Sequence, residues 1–367
     1  MRVLVLLTDA YGSSFGMAQF NREFLRVLCG HPDVSEVVAV PRLYSPEGEV
    51  LPAKLLYVTE GLNSKLKYIA TLRKVARSDP AFDLIVVAHL NLLPLIYVVR
   101  RRARVPVMLI VHGYEAWSRR NQLFRLMVRQ VESVVSVSEL TRDRFCTWSG
   151  FRADRVFVLP NGVDLNRFRP GPKNTQLLQR HGLQGRTVVM TLGRLSASER
   201  LKGIDEVLAI IPELARQIPD ISYLIVGDGT DRARLEQKAR SLGIADRVVF
   251  TGYVSEAEKP DYYRLADAYV MPSRGEGFGI VFLEALASGI PIVASVIDGS
   301  REVVREKNWG VVVDPDSPEE IKSGILEALS RRSGIRPSGL EYFSRTKFEE
   351  RVHRIVEAMS DGRTKSE

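Results

Sequence analysis

The feature that most constrains the fold of this chain is a recurring alternation of short apolar runs with helix-length segments. In the first half the runs are RVLVLLT, EVVAV, DLIVVAH, PVMLIVHG, SVVSVS and RVFVLPNG; after residue 180 come TVVMTLGR, SYLIVGDG, RVVFTGY, DAYVMPS, PIVAS and WGVVVD. Strands that are apolar throughout and alternate with helices form parallel sheets covered on both faces. The sequence therefore predicts an α/β fold with two doubly wound parallel-sheet domains in series.

The segment PNGVDLNRFRPGPKN, residues 160–174, separates the two sets of runs and is rich in Pro, Gly and Asn, as linkers are. We expect a first domain over 1–168 and a second over 169–344. A final helix over about 345–367 is expected to pack back on the first domain. A chain of 367 residues is long enough for each domain to bury its own core.

The composition favours a globular cytoplasmic protein. Hydrophobic residues make up 45% of the chain and charged residues 26%, which argues against disorder. The two cysteines, Cys29 and Cys146, are too few for a disulfide framework and favour a reducing compartment. The longest apolar run, 90–99, is about half the ~20 residues that a membrane-spanning helix needs. Asp9 interrupts the apolar N-terminal segment, which we interpret as a buried strand rather than a signal peptide.

Net positive charge is confined to the first half of the chain. Residues 1–168 carry 23 Lys and Arg against 15 Asp and Glu, whereas residues 169–367 carry 29 of each kind. This asymmetry suggests that the first half meets an anionic partner, and the alternative is an ordinary basic surface.

Two acids in the stretch SRGEGFGIVFLEALASG are candidate ligand-binding residues. Glu276 lies among glycines, and Glu284 lies inside an apolar run that begins a helix near Ile280. The first amides of a helix form an anion site, while an acid about one turn further in suits a neutral diol such as a ribose. A nucleotide sugar offers a ribose, a diphosphate and a sugar in that order. The alternative is a glycine-rich turn followed by an ordinary helix, with no ligand.

Further candidate residues follow other predicted strands. Arg194 ends the run TVVMTLGR and Lys202 precedes the next helix, so both can neutralise a diphosphate. In the first domain, Gly16 permits close backbone approach to a ligand, and His112 stands at a strand end beside a glycine. Taken alone, Arg194 or Lys202 is more often a solvated surface charge, the Gly16 loop is unspecific, and a lone histidine such as His112 is more often structural.

Taken together, these residues resemble the retaining glycosyltransferases of the GT-B fold, specifically family four. The resemblance rests on the Gly16 loop, HGYE, SVSE, PNGVD, GRL, KG, VGDG, FTGYV and the E-x7-E element from Glu276 to Glu284. It implies two Rossmann-like domains facing a central cleft, the first on the acceptor side and the second binding the nucleotide-sugar donor.

The resemblance also implies a role for each matching position. Arg194 and Lys202 would bind the donor diphosphate, and Glu284 the ribose. Glu276, with the backbone of Phe278, Gly279 and Ile280, would hold the transferred sugar. His112 would lie near the anomeric carbon, and Gly16 would contact phosphate. Gly193 and Val254 complete the expected donor-binding set. Many members carry two adjacent glycines where this chain has Phe15 and Gly16, which weakens the assignment of Gly16.

The implied reaction is a front-face transfer with retention, in which the leaving diphosphate helps to deprotonate the acceptor. Arg194 and Lys202 would stabilise the developing charge. We expect neither a metal nor another cofactor, because the two cations already supply the positive charge that the leaving diphosphate needs. Two alternatives stay open, a nucleotide-sugar epimerase and a non-catalytic scaffold of the same fold.

The expected acceptor is a lipid-linked or saccharide hydroxyl in cell-envelope or exopolysaccharide assembly, and no nucleic-acid partner is expected. Two basic stretches, RRRAR at 100–104 and WSRRNQLFRLMVRQ at 117–130, suggest a peripheral contact with the anionic inner face of the cell membrane. In the second, we expect Arg125 and Arg129 to share one helical face and Phe124, Met127, Val128 and Val131 to form an apolar face. A small soluble acceptor is the alternative.

Overall fold

The computed structural model describes residues 1–12, 16–46, 48–100, 105–304, 309–331 and 333–364. The chain divides into two units, the first comprising Met1–Asn161 and Thr346–Glu367 and the second Gly162–Arg345. The second unit begins at Gly162, seven residues before the predicted start at residue 169. Val163 belongs to it because its backbone pairs with the last residues of that unit. The Val163 amide donates to the Phe343 carbonyl at 2.8 Å, and the Arg345 amide donates to the Val163 carbonyl at 3.2 Å.

The first unit contains a seven-stranded parallel sheet in the order β3-β2-β1-β4-β5-β6-β7 within the described residues. Its strands are β1 (Arg2–Leu7), β2 (Glu36–Pro41), β3 (Leu55–Tyr57), β4 (Leu84–Val87), β5 (Val107–Val111), β6 (Ser133–Ser136) and β7 (Val156–Val158). Its helices are α1 (Gly16–Gly30), α2 (Lys65–Val75), α3 (Ile96–Val99), α4 (Tyr114–Trp117), α5 (Gln122–Val128) and α6 (Glu139–Ser149), with 3-10 turns at Leu90–Leu95 and Ala153–Arg155.

Six of these strands coincide with the apolar runs, and β3 is the one that the sequence did not predict. It is three residues long and lies at the sheet edge, where Leu56 is exposed. A strand this short with one covered face carries no continuous apolar run, which is why hydrophobic patterning misses it.

The second unit contains a six-stranded parallel sheet in the order β10-β9-β8-β11-β12-β13 within the described residues. Its strands are β8 (Thr187–Leu192), β9 (Ile221–Val226), β10 (Val248–Phe250), β11 (Ala268–Val270), β12 (Ile292–Ser295) and β13 (Gly310–Val313). Its helices are α7 (Thr175–Arg180), α8 (Ile204–Gln217), α9 (Arg232–Ser241), α10 (Lys259–Leu265), α11 (Ile280–Ala287) and α12 (Pro318–Ser330), with 3-10 turns at Ala245–Arg247, Gly299–Val303 and Leu340–Phe343.

The last helix, α13 (Arg345–Thr364), packs on the first unit. Phe348 meets Phe20 of α1 edge-on, with ring centroids 5.6 Å apart, and the rings of His353 and His31 lie 4.8 Å apart. Val352, Ile355 and Val356 are buried along the same helix. Among the described residues, no helix combines the length and the apolar character that crossing a bilayer requires.

Strand order determines where a ligand site can form in each sheet. In both sheets the chain order reverses beside the first strand, between β1 and β4 in the first unit and between β8 and β11 in the second. Ligands of open parallel sheets bind outside the carboxyl ends of the strands at such a reversal. The loops after β8 and β11 are therefore the first place to look for a site in the second unit.

Candidate functional site

The loops that follow β8 and β11 carry most of the predicted site residues of the second unit. Gly193 and Arg194 come directly after β8, and Glu276 lies in the loop between β11 and α11. Helix α11 begins at Ile280, as the sequence predicts, and is preceded by Gly279 with a φ of +88°. That backbone conformation favours glycine.

Lys202, near the end of the loop that follows β8, forms an ion pair with Glu276. The Lys202 Nζ donates to Glu276 Oε1 at 2.7 Å, and the two side chains are 26% and 22% exposed. Partial burial on both sides makes the pair more persistent than a surface ion pair. An ammonium has three donors, so two N–H groups of Lys202 remain for other acceptors.

Gly193 leaves the space that the Lys202 side chain occupies. A Cβ placed on Gly193 would lie 2.7 Å from Lys202 Cε and 2.8 Å from Cδ. Because real Cβ atoms essentially never approach a heavy atom so closely, any side chain at position 193 would displace the lysine. The absence of a side chain at this position therefore allows the ion pair to form.

The two predicted diphosphate-binding cations lie around one small pocket. Arg194, Arg200 and Lys202 line it together with Asp205 and Asp231. Arg194 pairs with Glu199 at 2.8 Å, and Arg200 pairs with the buried Asp231 at 3.2 Å. Glu199 lines the same pocket, so three carboxylates balance the three cations and the lining carries no net charge.

Asp298, which the sequence analysis did not single out, holds the Glu276 loop. Its carboxylate is fully buried and accepts from the Glu276 amide at 3.0 Å and from the Ser273 hydroxyl at 2.6 Å. Its other oxygen accepts from the Ser300 amide at 3.0 Å and the Ser300 hydroxyl at 2.6 Å. Burial raises the pKa of Asp298 to about 6, against the effect of these donors. The only sequence signal for it is an Asp shortly after a strand, ahead of a 3-10 turn.

Glu284 is fully buried one turn into α11, and only one of its oxygens is satisfied. Oε2 accepts from the Tyr263 hydroxyl at 2.8 Å, whereas Oε1 has no hydrogen-bond partner among the described residues. Burial raises the pKa of the Glu284 carboxyl, while the Lys259 charge opposes this effect. A buried acceptor without a partner is costly in a native protein, unless a ligand provides the missing donor.

The remaining positions of the predicted donor set are apolar or backbone sites. Phe278, Ile280 and Val254 are buried, so only their backbone groups are suited to polar contacts with a ligand. Phe278 packs against Phe343 with ring centroids 5.5 Å apart, which fixes the backbone just before α11.

In the first unit, His112 follows β5 and is held from both sides. Its Nε2 lies 2.9 Å from the Ala88 carbonyl oxygen, and its backbone amide donates to Glu115 Oε1 at 2.6 Å. Burial lowers the pKa of the His112 imidazole to about 4, so the ring is neutral at neutral pH. Because a carbonyl only accepts, this contact assigns the ring proton to Nε2 and leaves Nδ1 as an acceptor.

Gly16 is the first residue of α1 and is exposed, whereas 13–15, with Phe15, lie outside the described residues. His112 and Gly16 belong to the first unit. Their roles toward a donor stay predictions, as does every role assigned above to the residues of the second unit.

Comparison with known proteins decides the family. Residues 174–361 match the glycosyl transferases group 1, and residues 16–167 match glycosyltransferase family 4. The chain belongs to the glycosyl transferases group 1. The predicted family is thereby confirmed.

This group 1 member has mycobacterial relatives. It is 32% identical over 370 residues to the phosphatidyl-myo-inositol mannosyltransferase of Mycolicibacterium smegmatis. This match covers 96% of this chain and 90% of that relative. It is 35% identical over 238 residues to the GDP-mannose-dependent alpha-(1-6)-phosphatidylinositol monomannoside mannosyltransferase of Mycobacterium tuberculosis. The second match covers 62% of this chain and spans only 61% of that relative's length.

Solved structures confirm the fold class. The apo form of the lipopolysaccharide outer core galactosyltransferase WaaB superposes with a TM-score of 0.73 at 16% identity, covering 98% of this chain and 99% of that chain. The Anabaena Alr3699/HepE complex with UDP-glucose gives 0.73 at 21% identity, covering 98% and 100%. The predicted pair of parallel-sheet α/β domains, the GT-B architecture, is thus correct.

Proposed function

We propose that this chain is a retaining, metal-independent hexosyltransferase that moves a sugar from a nucleoside diphosphate sugar to a hydroxyl acceptor. Glu284 would bind the ribose, Arg194 and Lys202 the diphosphate, and Glu276 the transferred sugar. The observation that carries the proposal is the buried, unpartnered Oε1 of Glu284. It offers an acceptor to a hydroxyl donor, one helical turn from the start of α11, where the first backbone amides are suited to an anion.

Lys202 can serve the leaving group without giving up Glu276. One N–H bonds the Glu276 carboxylate, and the other two are available to diphosphate oxygens. As the bond between the sugar and the diphosphate breaks, negative charge grows on the leaving oxygen, and a fixed ammonium stabilises it. Arg194 adds a planar fork that matches phosphate geometry.

Names of relatives suggest a donor and an acceptor. The M. tuberculosis relative is described as GDP-mannose-dependent, and it and the M. smegmatis relative are described as acting on phosphatidylinositol or its monomannoside. We therefore propose GDP-mannose as the first donor to test and a lipid-linked hydroxyl as the first acceptor class. Envelope or exopolysaccharide assembly at the cytoplasmic membrane face would use such a reaction.

A donor panel tests the proposal. The protein is incubated with GDP-mannose, UDP-glucose, UDP-galactose and ADP-glucose, with and without a lipid acceptor extract, and the products are separated. Release of nucleoside diphosphate with a glycosylated acceptor of retained anomeric configuration supports the proposal. An epimerised donor would identify an isomerase instead, and no binding and no conversion of any donor would indicate a non-catalytic scaffold.

Exposed leucines on α5 favour a lipid acceptor over a small soluble one. Leu123 and Leu126 are 58% and 53% exposed, and two arginines that flank the helix in sequence, Arg119 and Arg129, are exposed as well. The predicted apolar face is largely internal: Met127, Val128 and Val131 are buried, and Phe124 packs against the core. Leucines on the outer face next to arginines suit an anionic lipid surface.

The basic stretch at 100–104 contributes less to this proposal. Arg100 pairs with Glu132 at 3.0 Å, and 101–104 lie outside the described residues. Co-sedimentation with phosphatidylglycerol vesicles tests the α5 surface. Binding is expected to fade with salt and to fall in a Leu126→Ser, Arg129→Gln variant, but not in Ile335→Ser, an exposed aliphatic control in the second unit. Equal binding to neutral vesicles, or none, would favour a soluble acceptor.

A further inference from the structure

Glu284 presents two chemically different oxygens because of one neighbouring side chain. Tyr263 and Glu284 are both fully buried, and the Tyr263 hydroxyl donates to Oε2 at 2.8 Å. Oε1 has no partner in the part of the chain that the structure describes. A carboxylate terminal torsion is broad and roughly twofold, so without a partner either oxygen could face a ligand.

We propose that Tyr263 is a positioning residue for donor recognition: it ties up Oε2, so that Oε1 is the oxygen that receives a ribose hydroxyl. The inference rests on the proposed function, since it assumes that the ligand of Glu284 is a ribose. It assigns a role to Tyr263 that goes beyond the binding roles assigned to the charged residues.

The Tyr263 ring is held in place independently of Glu284. It packs edge-on against Phe168, with centroids 5.8 Å apart and planes at 79°, and lies 5.8 Å from the ring of Tyr269. Tyr269 in turn packs edge-on against Phe282, which belongs to the same helix as Glu284. Because these rings link α10, β11 and α11, the hydroxyl has a fixed position relative to the carboxylate.

The hydroxyl acts only as a donor to the carboxylate. Burial raises the pKa of Tyr263 well above its usual value, and the Glu284 charge adds to this effect, so the proton stays on the phenol. A carboxylate oxygen that accepts this bond is a weaker partner for a second hydroxyl. The arrangement therefore creates a preference for one ribose contact at Oε1.

The chain offers a matched control on the same helix. Tyr262 is also buried, at 4% exposure, but its hydroxyl lies 3.1 Å from His181 Nε2 rather than near Glu284. Tyr262→Phe and Tyr263→Phe thus each remove one buried phenolic oxygen from α10, and only the second frees the carboxylate.

Isothermal titration of GDP and UDP and their 2′-deoxy and 3′-deoxy analogues provides the test. In the wild type, loss of the hydroxyl that Oε1 receives should weaken binding by about 10- to 100-fold, the range for a hydrogen bond to a charged group. In Tyr263→Phe, the loss of affinity caused by the missing ribose hydroxyl should be several-fold smaller, because the carboxylate is no longer fixed. In Tyr262→Phe it should equal that of the wild type.

The inference is overturned if Tyr263→Phe weakens the ribose and deoxyribose ligands equally, so that the affinity difference between them is unchanged. Tyr263 would then be only a structural residue. Should that variant not fold, a structure of the wild type with bound nucleoside diphosphate decides: a ribose hydroxyl bonded to Oε2, or Tyr263 turned away from Glu284, contradicts it. If the wild type binds none of these ligands, the result contradicts the proposed function itself.

Discussion

Gly193→Ala is the smallest change that should move Lys202 without removing it. The new methyl would lie 2.7 Å from Lys202 Cε, about 0.7 Å closer than the 3.4 Å at which ordinary van der Waals contact begins. If the ammonium moved directly away from Glu276 by that amount, their contact would lengthen from 2.7 Å to about 3.4 Å, beyond the range of a well-formed hydrogen bond. A displacement of about 1 Å at a reacting centre can cost about 100-fold, so we expect turnover to fall about 10- to 100-fold.

The lysine end is flexible and partly exposed, so folding should hardly suffer. We expect the melting temperature to change by less than about 3 °C, equivalent to under ~1 kcal/mol. The assay is the initial rate of nucleoside diphosphate release at saturating donor, beside a thermal melt. The matched control is Gly30→Ala, where a Cβ meets nothing within 4 Å. If Gly193→Ala keeps the wild-type rate while Lys202→Ala is strongly impaired, the steric argument is refuted.

Three further predictions concern the charges of the site. Lys202→Ala and Arg194→Ala should each lower turnover at saturating donor by about 100- to 1000-fold with the fold intact, and a near-normal rate would mark that residue as a surface charge. EDTA should leave the rate unchanged, because these two cations supply the positive charge; a loss that added metal restores would contradict this. Acidification through pH 6 should lower turnover, because the pKa of Asp298 is raised to about 6 and protonation weakens its hold on the Glu276 amide. For this group alone, the free energy of unfolding falls as the pH rises from about 4 to about 6, since the native state keeps a proton that the unfolded chain has lost. Asp298→Asn should abolish the loss of turnover on acidification through pH 6. An unchanged loss would refute the role assigned to Asp298.

Patterning and chemistry predicted the fold because each buried strand of a parallel sheet leaves a continuous apolar run. Runs such as TVVMTLGR and DAYVMPS also fixed which residues follow strands, and thereby placed Arg194 and Glu276 at the ligand edge of the sheet. The edge strand Leu55–Tyr57 was not predicted because it is short and half exposed.

Contacts between distant loops could not be predicted in the same way. Lys202 and Glu276 were assigned to diphosphate and sugar separately, and nothing in a separation of 74 residues indicates that they pair. Tyr263 reads as an ordinary helix residue, since its contact with Glu284 depends on how α10 packs against α11. Asp298 reads as a turn residue, and only its four donors identify it as the support of the Glu276 loop.

The measurement that most directly tests the account compares Glu284→Ala with Glu276→Ala in nucleoside diphosphate binding and in turnover. Glu284→Ala should weaken nucleoside diphosphate binding by about 10- to 100-fold, because it removes the hydrogen bond from the ribose to a buried carboxylate. Glu276→Ala should leave that binding nearly unchanged and reduce turnover, because its proposed partner is the transferred sugar. If both variants lose binding and turnover to the same extent, the assignment of ribose to one acid and sugar to the other is wrong.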